Sequence, residues 1–303
     1  MNICSISFEV SSGEWVAGGI CEILPRWDCA AADGKPQPGI ECRMCLILVV
    51  WRRHPLYPCL IAANRDEFHG RAAEPAHWWP NRPHILAGRD LVAGGTWLGI
   101  TRGGRFAALT NYRSPQHRRT DVPSRGRLVT DALESSGPPE DDLRRLRAAG
   151  PGYNGFNLIF SDGQRLGVYE SVPGEGRVLP PGIYGLSNHV LDTPWPKVER
   201  AKERLHALLD RTIDPAAVLE LLRDERPAPD EDLPGTGMSL EWERLLSSAF
   251  IRGSDYGTRC STVIRIDQSG KACFDEWTWD ASGSESSRVS FQFEISNFVA
   301  REE

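Results

Sequence analysis

The chain has 303 residues, of which 40% are hydrophobic and 25% charged, with a formal net charge of -6. That length can bury a full hydrophobic core, and the acidic balance argues against a general nucleic-acid binder, which carries a basic surplus. No run approaches the roughly 20 apolar residues a membrane helix needs. Met1 to Val10 has neither the basic start nor the apolar middle of a secretory signal, so the cytoplasm is the expected location.

Residues 1–43 differ in character from the rest and end in a run of turn formers from Ala32 to Gly39. They are expected to be an N-terminal extension outside the core, with a single domain over residues 44–303. Met44 to Trp51 is a compact strand-like run with β-branched residues, Arg52 to Pro55 turns the chain, and Tyr57 to Ala63 reads as a second strand forming a hairpin with the first. Thr96 to Thr101 and Arg105 to Thr110 flank the tight-turn signal Gly103-Gly104. Helical spacing covers Arg125 to Ser135 and Glu140 to Ala149, the second with acids at its front end, as the helix dipole prefers.

Phe156 to Phe160 and Arg165 to Glu170 read as another hairpin, and Ile183 to Ser187 as a short strand. Helices are expected at Pro196 to Leu209, Pro215 to Arg223 and Ser239 to Ser248. Strands follow at Ser261 to Asp267, Lys271 to Trp279 and Val289 to Ile295. Strands at both ends with helices between suit an α+β layer architecture of antiparallel sheets with helices outside.

The eight cysteines fit neither a disulfide framework nor a zinc site. Cys42 and Cys45 form a lone C-x-x-C with no second ligand pair at zinc spacing, while Cys59, Cys260 and Cys273 read as small buried strand residues. The basic cluster Arg113, His117, Arg118, Arg119, Arg125 and Arg127 reads plainly as a solvated loop face; the alternative is a docking site for an anionic ligand. Trp78, Trp79, Trp97, Trp277 and Trp279 are read as lining the core or a cleft rim. His69, His77 and His84 are read as surface or packing histidines.

Asn64-Arg65-Asp66-Glu67 ends the second strand. Four polar residues after an apolar strand read either as a charged loop with internal ion pairs or as part of a site. Met44-Cys45-Leu46-Ile47 opening one strand and Asn64 to Glu67 closing the next resemble the NRDE-motif family, also called transport and Golgi organisation protein 2. The resemblance continues through Gly94 to Gly99, Ala108 to Arg113, Tyr153 to Leu158, Gly185 to Asn188 and Gly257 to Thr262, and so spans residue 44 to the C-terminus. Each string is weak by itself; their joint order is specific.

That family is similar in turn to N-terminal-nucleophile (Ntn) hydrolases that cleave linear and cyclic amides. The resemblance implies a four-layer αββα sandwich and a site made of Cys45, Arg65, Asp66, Asn111, Asn188 and Arg259. In that scheme Cys45 is the nucleophile and its own α-amine the general base. Arg65 favours the thiolate, Asp66 holds the amine, Asn111 and Asn188 offer N–H groups to an oxyanion, and Arg259 orients the site or grips a substrate carboxylate.

The scheme needs a free amine on Cys45, hence a mature chain that lacks residues 1–43. Arg65 and Asp66 are adjacent, so on a regular strand they point to opposite faces, and both reach Cys45 only where the strand ends or bulges. The expected activity is hydrolysis of the C–N bond of a small linear amide. The rival is a non-catalytic carrier or trafficking protein using the same pocket for haem or an acyl lipid. No resident cofactor or metal is expected, nor a nucleic-acid partner or a membrane span, and nothing in the sequence sets an oligomeric state.

Overall fold

In the computed structural model, residues 45–114 and 119–296 are described. The chain runs β1 (Cys45–Trp51), β2 (Cys59–Phe68), β3 (Ala73–Trp79), β4 (Arg82–Asp90), β5 (Leu98–Thr101), β6 (Phe106–Asn111), α1 (Gly126–Glu134) and α2 (Pro139–Ala149). It continues through β7 (Phe156–Ser161), β8 (Leu166–Glu170), β9 (Glu175–Leu179), β10 (Gly182–Leu186), α3 (Pro196–His206), α4 (Pro215–Leu222), α5 (Leu240–Leu245), β11 (Tyr256–Ile266), β12 (Lys271–Trp279) and β13 (Glu285–Glu294).

The strands form two antiparallel sheets, ordered β10-β1-β2-β11-β12-β13 and β3-β4-β5-β6-β7-β8-β9. Side-chain alternation sorts each central strand between two apolar layers. Leu46, Leu48 and Val50 pack outward against Val198, Leu205 and Leu221 of α3 and α4. Ile47 and Val49 pack inward against Leu86, Ile100 and Ile159 of the second sheet. Ala107, Leu109 and Leu158 of that sheet cover Leu128, Val129 and Leu143 of α1 and α2. The stack is therefore helix, sheet, sheet, helix: the four-layer αββα sandwich. Both faces of β1 are sealed, which is why it reads as an unbroken apolar run.

The expected central elements are present within a few residues of their bounds. β3, β4 and β9 are additional strands; β3 and β9 are the two edges of the seven-stranded sheet, and β4 lies next to β3 with only Ile85 to Gly88 of its nine residues buried. Ala73–Trp79 contains Pro75, and Glu175–Leu179 is largely exposed, so neither carries the apolar alternation that marks a buried strand. The helices are not one block either: β7 to β10 lie between α2 and α3. Trp79, Trp277 and Trp279 are core residues, and Trp78 stacks edge-on against Phe291 and Phe293.

Cys45, Cys59, Cys260 and Cys273 are free thiols, and Cys273 is only half-buried. Cys4, Cys21, Cys29 and Cys42 lie outside the described residues, as do His117 and Arg118 of the basic cluster. That cluster is not one solvated face. Arg113 is buried against Glu243 and Arg125 is buried too, while Arg119, which donates to the Pro151 carbonyl, and Arg127, beside Asp131, are exposed. Among the described residues, no helix is long and apolar enough to cross a membrane, and no cluster of His, Cys, Asp or Glu is arranged to hold a metal ion.

Asn64 fastens the outer layer to the sheet. Its Nδ2 donates to the Leu222 carbonyl at 2.8 Å and the Ala249 carbonyl at 2.7 Å. Its Oδ1 accepts from Ser261 Oγ at 2.6 Å, and Trp279 Nε1 donates to that same hydroxyl oxygen. Asn64→Leu keeps the volume but orphans two buried carbonyls and the hydroxyl proton. At about 1–3 kcal/mol per orphaned group, a loss of about 3 kcal/mol or more is expected as a lower urea midpoint; an unchanged midpoint refutes the role.

Candidate active site

β2 pairs with β1 on one side and β11 on the other, and register places the motif. Cys45 lies opposite Arg65, and Arg65 lies opposite Cys260. These residues face the second sheet, where the two sheets part into a cleft whose lining includes Cys45, Arg65, Trp97, Leu109, Asn111 and Arg259. The alternation continues without a break through the polar motif. Arg65 and Glu67 face the cleft, 3.6 Å apart. Asn64 faces the helices, and so does Asp66, whose Oδ1 accepts from Thr258 Oγ1 at 2.6 Å. The motif is buried strand, not a charged loop.

The bulge that the convergence of Arg65 and Asp66 on Cys45 called for lies in the partner strand, between Thr258 and Cys260. It turns out Arg259, whose Nη1 donates to the carbonyls of Phe68, His69 and Arg71 at 2.8, 3.0 and 3.1 Å. Three backbone oxygens thus fix this guanidinium beside Arg65, and burial together with Arg65 lowers its pKa. Glu67 also takes Arg71 at 3.6 Å, and Arg71 pairs with Asp90 at 2.7 Å.

The Cys45 backbone nitrogen donates to Asn188 Oδ1 at 3.3 Å. The Asn188 Nδ2 donates to the Asn111 carbonyl at 2.8 Å, and Ser187 Oγ holds the Cys45 carbonyl at 3.0 Å. Asn188 is completely buried and outside the cleft lining, so its carboxamide orients Cys45 from behind, while Asn111 lines the cleft itself. The two asparagines expected to act together are thus placed differently: Asn111 lines the cleft, and the Asn188 carboxamide contacts the Cys45 nitrogen and the Asn111 carbonyl.

Burial pushes the Cys45 thiol up to about 12, and the Asp66 charge pushes the same way. A hydrogen bond from the Asp66 backbone and the Arg65 guanidinium pull it back. Arg65 acts in the expected direction but is outweighed, so burial holds the thiol in its protonated form at neutral pH. Burial raises Asp66 to about 6, against the lowering influence of Lys197, Thr258 and Arg65. Its Oδ2 meets no hydrogen-bond donor among the described residues. Asp66 follows directly on Arg65, the register partner of Cys45.

Two members of the site's surroundings had no motif to announce them, Lys197 and Glu276, whereas Thr258 and Cys260 fall within the Gly257 to Thr262 string. Lys197 alone left a trace, since it falls on the buried stripe of α3 with Ala201 and Leu205 at four-residue spacing. Glu276 is buried, takes hydrogen bonds from the Ala76 N–H at 2.7 Å and Thr262 Oγ1 at 3.2 Å, and has its pKa raised by burial.

The family model for Transport and Golgi organisation 2 matches residues 44–281. The chain belongs to that family. It is 38% identical over 258 residues to the Transport and Golgi organization protein 2 homolog of Bos taurus, covering 77% of this chain and 92% of the relative. It is 29% identical over 272 residues to Transport and Golgi organization protein 2 of Drosophila melanogaster, covering 82% of this chain and 89% of the relative. Both Cys45 and the Asn64–Glu67 motif lie within the segment matched by the family model.

Among solved structures, this chain is similar to a Caenorhabditis elegans N-acylethanolamine-hydrolyzing acid amidase ortholog, with a TM-score of 0.41, 11% identity, and coverage of 73% of this chain and 92% of that one. It is also similar to a conjugated bile acid hydrolase mutant from Clostridium perfringens, with a TM-score of 0.41, 11% identity, and coverage of 85% and 95%. Likeness of that degree says nothing about chemistry.

Asp66 has a raised pKa, so the folded state favours its neutral form. That contribution to stability is complete below pH 3.8 and is lost as pH rises through about 6. Across that window the wild-type protein is expected to lose stability relative to Asp66→Asn as pH rises, read from paired urea titrations. A constant difference contradicts the burial of an under-partnered carboxyl.

Proposed function

We infer that this protein is an Ntn-type amidohydrolase of the cytoplasm, acting on the C–N bond of a small linear amide through Cys45 as the first residue of its mature chain. One observation carries the reading: next to Arg65, the register partner of Cys45, stands a buried carboxylate oxygen, Asp66 Oδ2, without a donor among the described residues. A backbone amide has one N–H, and here it goes to Asn188. An α-amine has further hydrogens, and in this reading Asp66 is their acceptor. Residues 1–43 are then an extension absent from the working form.

The chemistry follows from the arrangement. The Cys45 sulfur bonds to the amide carbonyl carbon while the thiol proton passes to the α-amine. The C–N bond breaks as the departing nitrogen takes that proton, and water hydrolyses the thioester to release the acid and restore the thiol. Asn111 supplies an N–H to the oxyanion. Arg65 and Arg259 stabilise negative charge at the cleft floor and orient polar groups of the substrate.

A second reading, a carrier of haem or an acyl lipid, draws on the protonated Cys45 thiol and on Trp97 and Leu109 in the cleft lining.

Intact mass and N-terminal sequencing of the active protein are expected to find Cys45 first. Retention of Met1 to Arg43 in active material defeats the hydrolase. Cys45→Ala is expected to abolish formation of a covalent acyl adduct, and Asn111→Ala to lower kcat by about 10²–10³-fold. A carrier instead keeps ligand binding in Cys45→Ala and forms no adduct in any form.

A further inference from the structure

Lys197 is 2% exposed, in the first turn of α3 beneath β1. Fully buried lysines are rare unless paired, and this one spends a single hydrogen bond on the Leu246 carbonyl at 3.0 Å. Its ammonium carries three donors.

The outer layer at this point holds four buried charged groups: Asp66 and Glu243, Lys197 and Arg113. Arg113 and Glu243 close on each other at 2.7 Å. Glu243 also accepts from Thr236, and Arg113 lies over the Trp195 ring at 4.5 Å. With that pair joined, and Arg65 set against Glu67 at 3.6 Å, Lys197 is the cation that acts most strongly on Asp66, through space rather than by a direct contact. Asp66 is faced by Lys197 of α3, Thr258 of β11, Arg65 of its own strand and Cys45 of β1. Lys197 is faced by Asp66, Arg113, Cys45 and Glu243.

A buried site tolerates balanced charge and penalises a surplus. If Asp66 had no other cation, the α-amine of Cys45 would become its counter-ion and stay protonated, and a protonated amine cannot take the thiol proton. We propose that Lys197 is a positioning residue for Cys45: its buried ammonium neutralises Asp66, so that Asp66 orients the Cys45 α-amine by hydrogen bonding while leaving it the free base. The consequence for the amine rests on the Ntn reading above; the pairing of Lys197 with Asp66 does not. Burial draws the Lys197 ammonium down to about 8 and Asp66 up to about 6, so both remain charged between those values.

The probe is p-nitrophenyl acetate. The Cys45 sulfur bonds to its carbonyl carbon, the thiol proton goes to the amine, and nitrophenolate leaves. The rate of acetylation of Cys45 is followed against pH in the protein as purified, with its N-terminus read by intact mass and Cys45→Ala as the blank.

Lys197→Met is expected to move the midpoint of the profile upward by about one pH unit or more, as the loss of one buried charge partner does. Lys197→Arg is expected to leave it in place, and Lys197→Met combined with Asp66→Asn to bring it back. A lysine needed only for packing lowers the amount of folded protein and leaves the midpoint alone; that result overturns the proposal.

The pairing has its own measurement, on the unaltered 303-residue chain. NMR titration of labelled Asp66 and Lys197 is expected to show each resonance stepping at the other's midpoint. Independent titration at ordinary carboxylate and lysine values refutes the pairing whether or not Lys197→Met folds. If intact mass shows the leader retained in active protein, the hydrolase reading and the role for the amine fall together, and the pairing is judged by the titration alone.

Discussion

The two-residue period of β2, held rigid between neighbours on both sides, governs the whole site. Within Asn64-Arg65-Asp66-Glu67 it sends the first and third side chains into the helix-covered layer and the second and fourth into the cleft. A motif that looks like one cluster in sequence is two devices on opposite faces of a sheet. Asn64 clamps α4 and the segment before β11 onto the sheet, and Asp66 anchors a buried charge network. Arg65 and Glu67 build the floor of the cleft. A slip of one residue would exchange the faces and bury the guanidinium among aliphatic side chains, so the apolar run of β1 and the inner half of β2 also protect the geometry of the site.

Cys45 stands where these two systems meet. Its sulfur shares the inner face with Arg65, while its nitrogen lies at the end of β1 against Asn188. Burial keeps the thiol protonated, and the guanidinium beside it is not strong enough to reverse that. A site so built does not store a thiolate. In the proposed hydrolase a base must take the thiol proton, and the charge balance of the outer layer bears on that base although it lies on the far side of the sheet from the cleft. Arg259 illustrates a different economy: one bulge and three carbonyl oxygens fix a guanidinium that no carboxylate needs to hold.

Much of this was legible before any coordinates. The central strands announce themselves because both of their faces are covered, and the helices because their apolar stripes and proline starts are clear. The order of the short strings around Cys45, Asn64–Glu67, Asn111, Asn188 and Arg259 pointed to the family. The edge strands β3 and β9 were silent because an edge has one exposed side and pays no penalty for proline or charge. The division of labour between Asn111 and Asn188 was equally hidden, since an asparagine does not advertise which way its carboxamide is turned.

By itself, the sequence determined the layer architecture and the alternation that splits the polar motif, because both follow from periodicity and burial, which are local properties of the chain. Tertiary structure alone decided which charges answer one another. Lys197 and Asp66 are 131 residues apart, and only packing of α3 over β1 makes them neighbours in a layer without water. Electrostatic energy there depends on distance and desolvation, and neither is written in the order of the residues.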